Sequence, residues 1–234
     1  MITIRRAEDR GKTKQDWLLS YHTFSFGTYH DPTNNGFKTL RVLNEDRVSP
    51  EGGFPTHPHR DMEILSYVIR GTLSHKDSLG NQGTIRQGEM QLMTAGSGIT
   101  HSESNPSETE VLHFLQIWIR PEKNGLPPKY QKKYFHERER LNRWQLVASS
   151  DPQKGAMHLH QKAEVYIASL KAGHTLEHLI EAKVSVWIQV VKGELLFGEI
   201  RIREGDGVGI EDETKLSLVA QSDAEILLFL LQGG

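Results

Sequence analysis

The chain has 234 residues, with 28 Lys and Arg, 30 Asp and Glu, 12 His and no Cys. The net charge of −2 argues against a broad electrostatic grip on nucleic acid or an anionic membrane, and the lack of Cys excludes disulfide scaffolds, thiolate zinc sites and iron–sulfur clusters. The charged start and the shortness of the longest apolar run, residues 226–231, favour neither a signal peptide nor a membrane span, so we expect a cytoplasmic protein. We also expect it to be a monomer.

Short runs rich in β-branched and aromatic residues recur along the chain, while helical periodicity is scarce. Gly, Asn, Asp and Pro separate these runs, a pattern typical of an all-β sandwich or barrel. The sequence of residues 77–83 predicts a hairpin loop between two strands. The runs lie at residues 40–44, 63–70, 84–86, 110–119, 165–170, 184–191, 200–202 and 226–231.

Three aromatic residues near the N-terminus, Phe24, Phe26 and Tyr29, allow two interpretations. One places them around a cavity for an aromatic substrate, and the other places them in the core beside the first strands. Because aromatic residues dominate ordinary protein cores, we favour core positions for all three.

Two alternating His residues, His57 and His59, give the strongest local signal for chemistry. On an extended chain, residues two apart project to the same face, so both imidazoles can reach one ion. Pro58 cannot donate to a sheet ladder, which predicts an edge or a barrel mouth here. Asp61 and Glu63 share the parity of the two His and are expected on the same face.

A second cluster lies 42 residues further on, where His101 and Glu103 are again two apart and follow a Gly-rich turn. Imidazoles and a carboxylate without sulfur suit divalent iron, manganese, nickel, copper or zinc, and three His with one carboxylate leave open positions on an octahedral ion. Satisfied, partly buried imidazoles are the alternative, but two clusters that both alternate favour a metal site. Nucleophilic catalysis is disfavoured because no Gly-x-Ser-x-Gly elbow is present.

Two further features of the sequence each allow more than one interpretation. Gln116 is a polar residue in a largely apolar run, so it either reaches the cavity or faces solvent. Residues 121–143 are basic, with acidic residues among them, and we favour a solvated linker or short surface helix over a patch for a partner or nucleic acid.

An internal repeat predicts two domains of like topology. Residues 68–73 (VIRGTL) match residues 190–195 (VVKGEL), and residues 85–89 (IRQGE) match residues 202–206 (IREGD). A strand, a Gly turn, a second strand and a second Gly turn recur in each half, as in a duplicated barrel. We expect a metal-binding domain at residues 1–135, a linker at residues 136–145 and a second domain without metal at residues 146–234.

The second half contains His residues that do not complete a ligand set. His158 and His160 repeat the alternating spacing, but no later His and carboxylate pair follows them, so we assign them structural roles. His174, Glu177 and His178 lie near the equivalent of the first cluster, but Glu177 and His178 are adjacent and face opposite ways on a strand.

At this point the sequence resembles the cupin superfamily and, within it, the pirin family closely. The resemblance covers most of residues 17–120, with Glu63 to Gly71 one residue longer than the usual cupin spacing and Thr94 where Pro is common. The segments that carry the resemblance to pirins are HTFSF at 22–26, YHDP at 29–32, HPHRDMEI at 57–64, AGSGITHSE at 95–103 and LQIWI at 115–119.

The resemblance implies two tandem cupin barrels, each a double-stranded β-helix or jelly roll, with one metal ion in the N-terminal barrel. It implies ligands at His57, His59, His101 and Glu103, and Fe(2+) as the usual ion, with Mn, Ni, Co, Cu and Zn as alternatives. Glu103 has the pirin position and Glu63 that of the general cupin ligand, so we choose Glu103 as ligand and expect Glu63 to be ion-paired or behind the ligands.

The resemblance also implies quercetin 2,3-dioxygenase activity, in which a flavonol and O2 are the substrates. Since an ion with these ligands favours a deprotonated flavonol, we expect Glu103 to be the catalytic proton acceptor. A second class of function stays open: a non-enzymatic regulator, as in animal pirins, whose metal is structural or senses redox state and which docks a protein partner. Both functions would keep the same four ligands.

Overall fold

The computed structural model describes residues 1–151 and 155–232, and strands predominate in them. The all-β fold class is therefore confirmed. The helical segments are a 3-10 turn at Ala7–Asp9 and the helix α1 (Glu137–Arg140). The strands are β1 (Ile2–Arg5), β2 (Gly11–Lys14), β3 (Leu18–His22), β4 (Leu40–Val48), β5 (Gly53–His59), β6 (Glu63–Arg70), β7 (Thr72–Asp77), β8 (Gln82–Arg86), β9 (Glu89–Thr94), β10 (Ile99–Ser104), β11 (Leu112–Ile119), β12 (Lys129–Tyr134), β13 (Gln145–Ser149), β14 (Met157–His158), β15 (Ala163–Leu170), β16 (Thr175–Leu179), β17 (Val184–Lys192), β18 (Glu194–Phe197), β19 (Ile200–Arg203), β20 (Gly207–Ile210), β21 (Lys215–Ala220) and β22 (Ala224–Gln232).

One compact unit, called here the first barrel, contains Gly11–Phe135 and Leu159–Gln161. A seven-stranded sheet with the order β12-β9-β6-β11-β4-β3-β2 and a four-stranded sheet with the order β5-β10-β7-β8 form it. β7 and β8 pair across the turn predicted as a hairpin loop. Alternate residues of each strand point between the two sheets, where the core lies.

The other compact unit, the second barrel, contains the described residues of Met1–Arg10, His136–His158 and Lys162–Gly234. Its sheets have the orders β1-β20-β17-β22-β15-β13-β14 and β16-β21-β18-β19. The order of the central strands repeats that of the first barrel, whereas at one edge β14 pairs parallel with β13 where β2 pairs antiparallel with β3. The internal repeat in the sequence therefore corresponds to a repeated strand topology.

The first ten residues belong to the second barrel, which corrects their expected place in the first. β1 pairs antiparallel with β20 and occupies the position that β12 has beside β9 in the first barrel. This pairing covers an edge strand that would otherwise expose its backbone donors and acceptors. Arg6 and the backbone N–H of Ala7 each donate to the buried Asp206 carboxylate at 2.8 Å, which fixes the chain after β1.

The segments on either side of the second barrel's first strands also differ from expectation. The predicted linker at residues 136–145 contains α1, and its Arg140 is buried beside Glu225 at 3.4 Å. Residues 159–161 cluster with the first barrel, where the backbone N–H of Glu122 donates to the His160 carbonyl at 2.7 Å. Each segment is held by contacts distant in sequence, which composition alone does not reveal.

The interior of the first barrel is layered along its strands. In β6 the inward residues Ile64, Ser66 and Val68 are apolar, polar and apolar in turn, and all are buried. Ile64 and Val68 belong to two separate apolar clusters. Ser66 lies between them in a buried polar layer, which also contains the carboxyl group of Glu103.

Candidate metal centre

Pairing of β5 with β10 brings the two predicted His clusters together. His57 lies directly opposite His101, and His59 lies opposite Ile99. The Nε2 atom of His101 is 3.0 Å from Nε2 of His57 and 3.0 Å from Nε2 of His59. His101 is buried and the other two are half-buried, so the three imidazoles converge where the small sheet meets the surface.

The orientation of His57 is set by its own strand. Its Nδ1 atom lies 2.8 Å from the carbonyl of Pro55. Because a carbonyl only accepts, Nδ1 carries the proton, and Nε2 presents its lone pair to the other rings. Metal-binding His residues commonly have their other ring nitrogen held in this way.

The other two imidazoles are held neutral by their surroundings. Burial, and then the neighbouring His57, lowers the pKa of His59 to about 4. Burial, followed by the charges of His57, His59 and His75, lowers the pKa of His101 to about 2. Neutral imidazoles are the form that binds a transition metal ion.

The arrangement of nitrogen atoms fits a metal ion. Two nitrogens each about 2.1 Å from an ion, at a right angle, lie about 3 Å apart, as the Nε2 atoms here do. Without a cation, each 3.0 Å contact requires one of its two Nε2 atoms to carry a proton and donate it, because two lone pairs this close repel. The His57, His59 and His101 ligand atoms lie within 4.8 Å of one another.

Glu103 is buried and projects from β10 across the barrel interior to the large sheet. Its Oε1 accepts hydrogen bonds from Ser66 Oγ at 3.3 Å and Gln91 Nε2 at 2.9 Å, and its Oε2 accepts one from Gln116 Nε2 at 2.8 Å. Burial raises the pKa of Glu103 to about 7, and the charge of Asp46 adds to this rise, while the three donors oppose it.

These contacts answer the question left open for Gln116, which reaches the cavity. Sequence reasoning missed Gln91, since a single Gln in a strand carries no motif. Glu103 also forms a second potential ligand group with His101 and His75, whose ligand atoms again lie within 4.8 Å of one another. His75 was not predicted, because it stands alone on β7.

Glu63 lies on the other face of its sheet. β5 ends before a turn in which Asp61 has a φ of +50°, and β6 begins at Glu63, so the alternation of β5 does not continue. Ser66, three residues further on, faces Glu103, so Glu63 faces away from it. The prediction that Asp61 and Glu63 share the face of the two His is wrong for this reason.

The surroundings of Glu63 are those of a structural carboxyl group. Thr94 Oγ1 donates to its Oε2 at 3.1 Å, and its Oε1 lies 3.5 Å from Nδ1 of His160. Burial raises its pKa to about 7, opposed by the hydrogen bonds from His160 and Thr94. This placement favours Glu103 over Glu63 as a ligand.

An aromatic wall borders the imidazoles. Trp118 packs edge-on against His59 with ring centroids 4.9 Å apart, and Phe26 packs against Trp118 at 5.4 Å. Phe24 is buried, as predicted, and Tyr29 stacks on the ring of His22. Phe26 thus lies at the edge of the site, and Trp118 was missed because its strand looked like ordinary core.

An open cleft of about 510 Å³ lies beside His59. Pro58 and Arg60 line it from the β5 side, and Ile99 and Thr100 from β10. The imidazole cluster is therefore reachable from the surface, as the position of Pro58 predicted.

The second barrel has a His at the position equivalent to His57. In the pairing of β16 with β21, His178 lies opposite Leu216, just as His57 lies opposite His101. The His178 ring packs against Tyr166, with centroids 5.5 Å apart. Within residues 1–151 and 155–232, the side-chain groups placed to hold a metal ion all lie in the first barrel.

In the described part of the chain no helix is long and apolar enough to cross a membrane.

Comparison with known proteins gives two family matches: residues 3–119 match the pirin model, and residues 146–231 match the model of the quercetinase C-terminal cupin domain.

Individual relatives match over nearly the whole chain. The chain is 47% identical over 229 residues to the quercetin 2,3-dioxygenase of Escherichia coli K12, covering 98% of both chains. It is 38% identical to a pirin-like protein of Caulobacter vibrioides, covering 97% of this chain and 98% of the relative. A crystal structure of the bacterial pirin YhhW from E. coli in complex with nickel(II) superposes with a TM-score of 0.95 at 46% identity and full coverage of both chains. The chain therefore belongs to the pirin family, and its fold is that of two cupin domains.

Proposed function

We propose that this protein is a metal-dependent dioxygenase that opens the heterocyclic ring of flavonols such as quercetin with O2. The observation that carries the proposal is the convergence of three imidazoles, in which Nε2 of His101 lies 3.0 Å from Nε2 of His57 and of His59, beside the buried Glu103 and an aromatic wall. The names of relatives at 47% and 38% identity, a quercetin 2,3-dioxygenase and a putative one, support the substrate class.

His57, His59, His101 and Glu103 would hold the ion. Iron is our first choice, and the nickel(II) complex of the related YhhW supports a first-row divalent metal. A divalent ion held there supplies Lewis acidity toward the flavonol 3-oxygen and a path for electrons to O2. Three neutral ligands and one carboxylate leave a net charge of about +1, which favours an anionic oxygen ligand.

Glu103 accepts the proton of the flavonol 3-hydroxyl in this scheme. Its two oxygens are fixed by Gln91 and Gln116, and the Gln116 amide is itself oriented because Trp118 Nε1 donates to its Oε1 at 3.2 Å. Three neutral donors, from Ser66, Gln91 and Gln116, use three of the four lone-pair sites of the carboxylate. The fourth site can hold the ion or the proton, so Glu103 takes up the proton as its bond to the ion is released.

The aromatic wall orients the substrate. Trp118 and Phe26 present ring faces and edges next to His59, where a planar flavonol can stack. In the overall reaction both atoms of O2 enter the products, the 3-carbon leaves as carbon monoxide, and the proton held by Glu103 returns to the ring-opened ester.

Oxygen consumption with quercetin, followed with flavonol bleaching and carbon monoxide release, tests the proposal. We expect activity in wild-type protein reconstituted with iron, nickel, cobalt or manganese, and its loss in His101→Ala, His57→Ala and Glu103→Gln. His178→Ala, at the equivalent place in the second barrel, is the matched control and should keep full activity. If no metal-loaded wild-type protein consumes O2 with any flavonol, the enzymatic function is wrong, and the regulatory one takes its place.

A further inference from the structure

His75 is a buried imidazole that the proposed reaction does not use. It lies on β7 directly opposite Glu103 on β10, and its ring stacks on Tyr130 with centroids 4.8 Å apart and planes at 19°. Its side chain is fully buried. At the equivalent place in the second barrel, opposite Leu218, stands Phe197. A ring fills this position in both barrels, so packing alone does not require nitrogen atoms.

The two nitrogens of His75 have different surroundings. Nε2 lies 3.1 Å from Asp77 Oδ2, and Asp77 also accepts hydrogen bonds from the backbone N–H groups of Leu79 and Asn81. A carboxylate in that role accepts from Nε2–H, so the lone pair of neutral His75 is on Nδ1. This buried Nδ1 has no hydrogen-bond partner among the described residues.

A carboxylate that holds one ring nitrogen while the other presents a buried lone pair is the usual support of a metal-binding His. The ligand atoms of His75, His101 and Glu103 lie within 4.8 Å of one another, and all three residues are buried. Two imidazoles and one carboxylate form the ligand set that suits non-haem Fe(II) and related divalent ions.

We propose that His75, His101 and Glu103 form an inner position for a divalent transition metal ion, an alternative to the outer position in which His57 and His59 join His101 and Glu103. His101 and Glu103 belong to both ligand sets, and two divalent ions sharing them would repel strongly. The chain therefore holds one ion at a time, and the ion can sit nearer the surface beside His57 and His59 or deeper beside His75. This inference concerns metal binding and does not depend on the flavonol reaction.

Cobalt(II) binding tests the inner position, measured by titration calorimetry and by the visible absorption of the bound ion. We expect His57→Ala/His59→Ala to bind one Co2+ per chain, about tenfold or more weakly than wild type. Adding His75→Phe, which keeps the ring stacked on Tyr130, should remove this binding. Adding His113→Gln instead, which removes a His bonded to Glu45 elsewhere in the barrel, should leave it intact.

Two outcomes overturn the proposal: a folded His57→Ala/His59→Ala protein that binds no Co2+, or one whose affinity His75→Phe does not change. Wild-type protein that saturates with two ions overturns the claim that the positions are alternatives.

A cycle of single substitutions keeps the test valid if the double variant does not fold. When one position can replace the other, His57→Ala and His75→Phe each have a small effect on Co2+ affinity, and the two together lose at least about tenfold more than the product of the single losses. Effects that simply multiply would show that His75 offers no alternative position.

Discussion

The two barrels share a central strand order, but the interior of the first contains a polar layer and that of the second is apolar. In the first, Ser66, Gln91 and Gln116 surround Glu103 between two apolar clusters. The strand register assigns these positions to aliphatic residues in the second barrel, where one continuous apolar cluster results. Ile188 stands in place of Ser66, Val208 in place of Gln91 and Leu228 in place of Gln116. Leu218 stands in place of Glu103.

The difference shows what a functional interior requires. A buried carboxylate is tolerable only when donors surround it, so the polar residues of the first barrel form a set in which each depends on the others. In the second barrel all of these polar residues are replaced by aliphatic ones, and its core is apolar. A cavity of about 410 Å³ in this barrel is lined in part by His178 and Tyr166, and the described residues place no metal-ligand group there.

The largest effect is expected on metal content, when an equivalent sheet of each barrel loses one of its His residues. His101→Ala removes a ligand of both proposed metal positions, so we expect metal content to fall at least about tenfold. His178→Ala should leave metal content unchanged. Elemental analysis of metal-loaded, gel-filtered protein checks both, and a second ion per chain lost on substitution of His178 would break the comparison.

The next effect concerns stability. Leu218→Glu puts the carboxylate of Glu103 into the second barrel without its donors, and we expect a loss of about 4 kcal/mol or more in the free energy of unfolding. Leu179→Glu, on the neighbouring strand at 77% exposure, should change it by less than about 0.5 kcal/mol. Chemical denaturation measures both. A mild effect of Leu218→Glu would mean that this interior accepts polar groups.

A smaller effect should follow removal of residues 1–5. Deletion of β1 uncovers the edge of β20, so we expect the second barrel to unfold at lower denaturant concentration and the protein to aggregate more readily. The first barrel should keep its one metal ion. Hydrogen exchange resolved by segment distinguishes the barrels, and loss of protection in β9 rather than β20 would contradict the assignment of β1.

The smallest effect is a pH dependence from Glu63. Burial raises its folded-state pKa to about 7, so the proton-bound form is favoured on folding. The stabilisation this gives is complete at low pH and is lost as pH rises through about 7. We expect Glu63→Gln to be more stable than wild type by about 1 to 2 kcal/mol at about pH 8, with the advantage absent at about pH 4.

Thermal unfolding across this pH range measures the Glu63 effect. Exposed Glu213→Gln serves as the control and should show no such trend. An advantage of Glu63→Gln that grows toward low pH would reverse the sign and refute the argument. Metal content should be unaffected, which also separates Glu63 from the ligands.

Sequence reasoning succeeded where local alternation decides geometry. His57 and His59 share a face because they lie within one strand, and the turn at residues 77–83 is encoded by its own residues. It failed at Glu63, because a turn with a left-handed Asp61 interrupts the alternation between two strands. It also missed His75, which reaches Glu103 only through the pairing of β7 with β10. Pairing between distant strands is set by the whole fold, and no single segment encodes it.

The pairing of Ile2 with Ile210 sets an order of events during translation. A ribosome makes β1 first and β20 near the end, so β1 waits for its neighbour through most of synthesis. Every strand of the first barrel, β2 to β12, has emerged before β13 appears, and that barrel can close early. A chain that stalls before Gly207 therefore has a β1 strand without its pairing partner. That β1 can pair with the β20 edge of a completed chain from the same messenger RNA, if the β1 of the completed chain has detached.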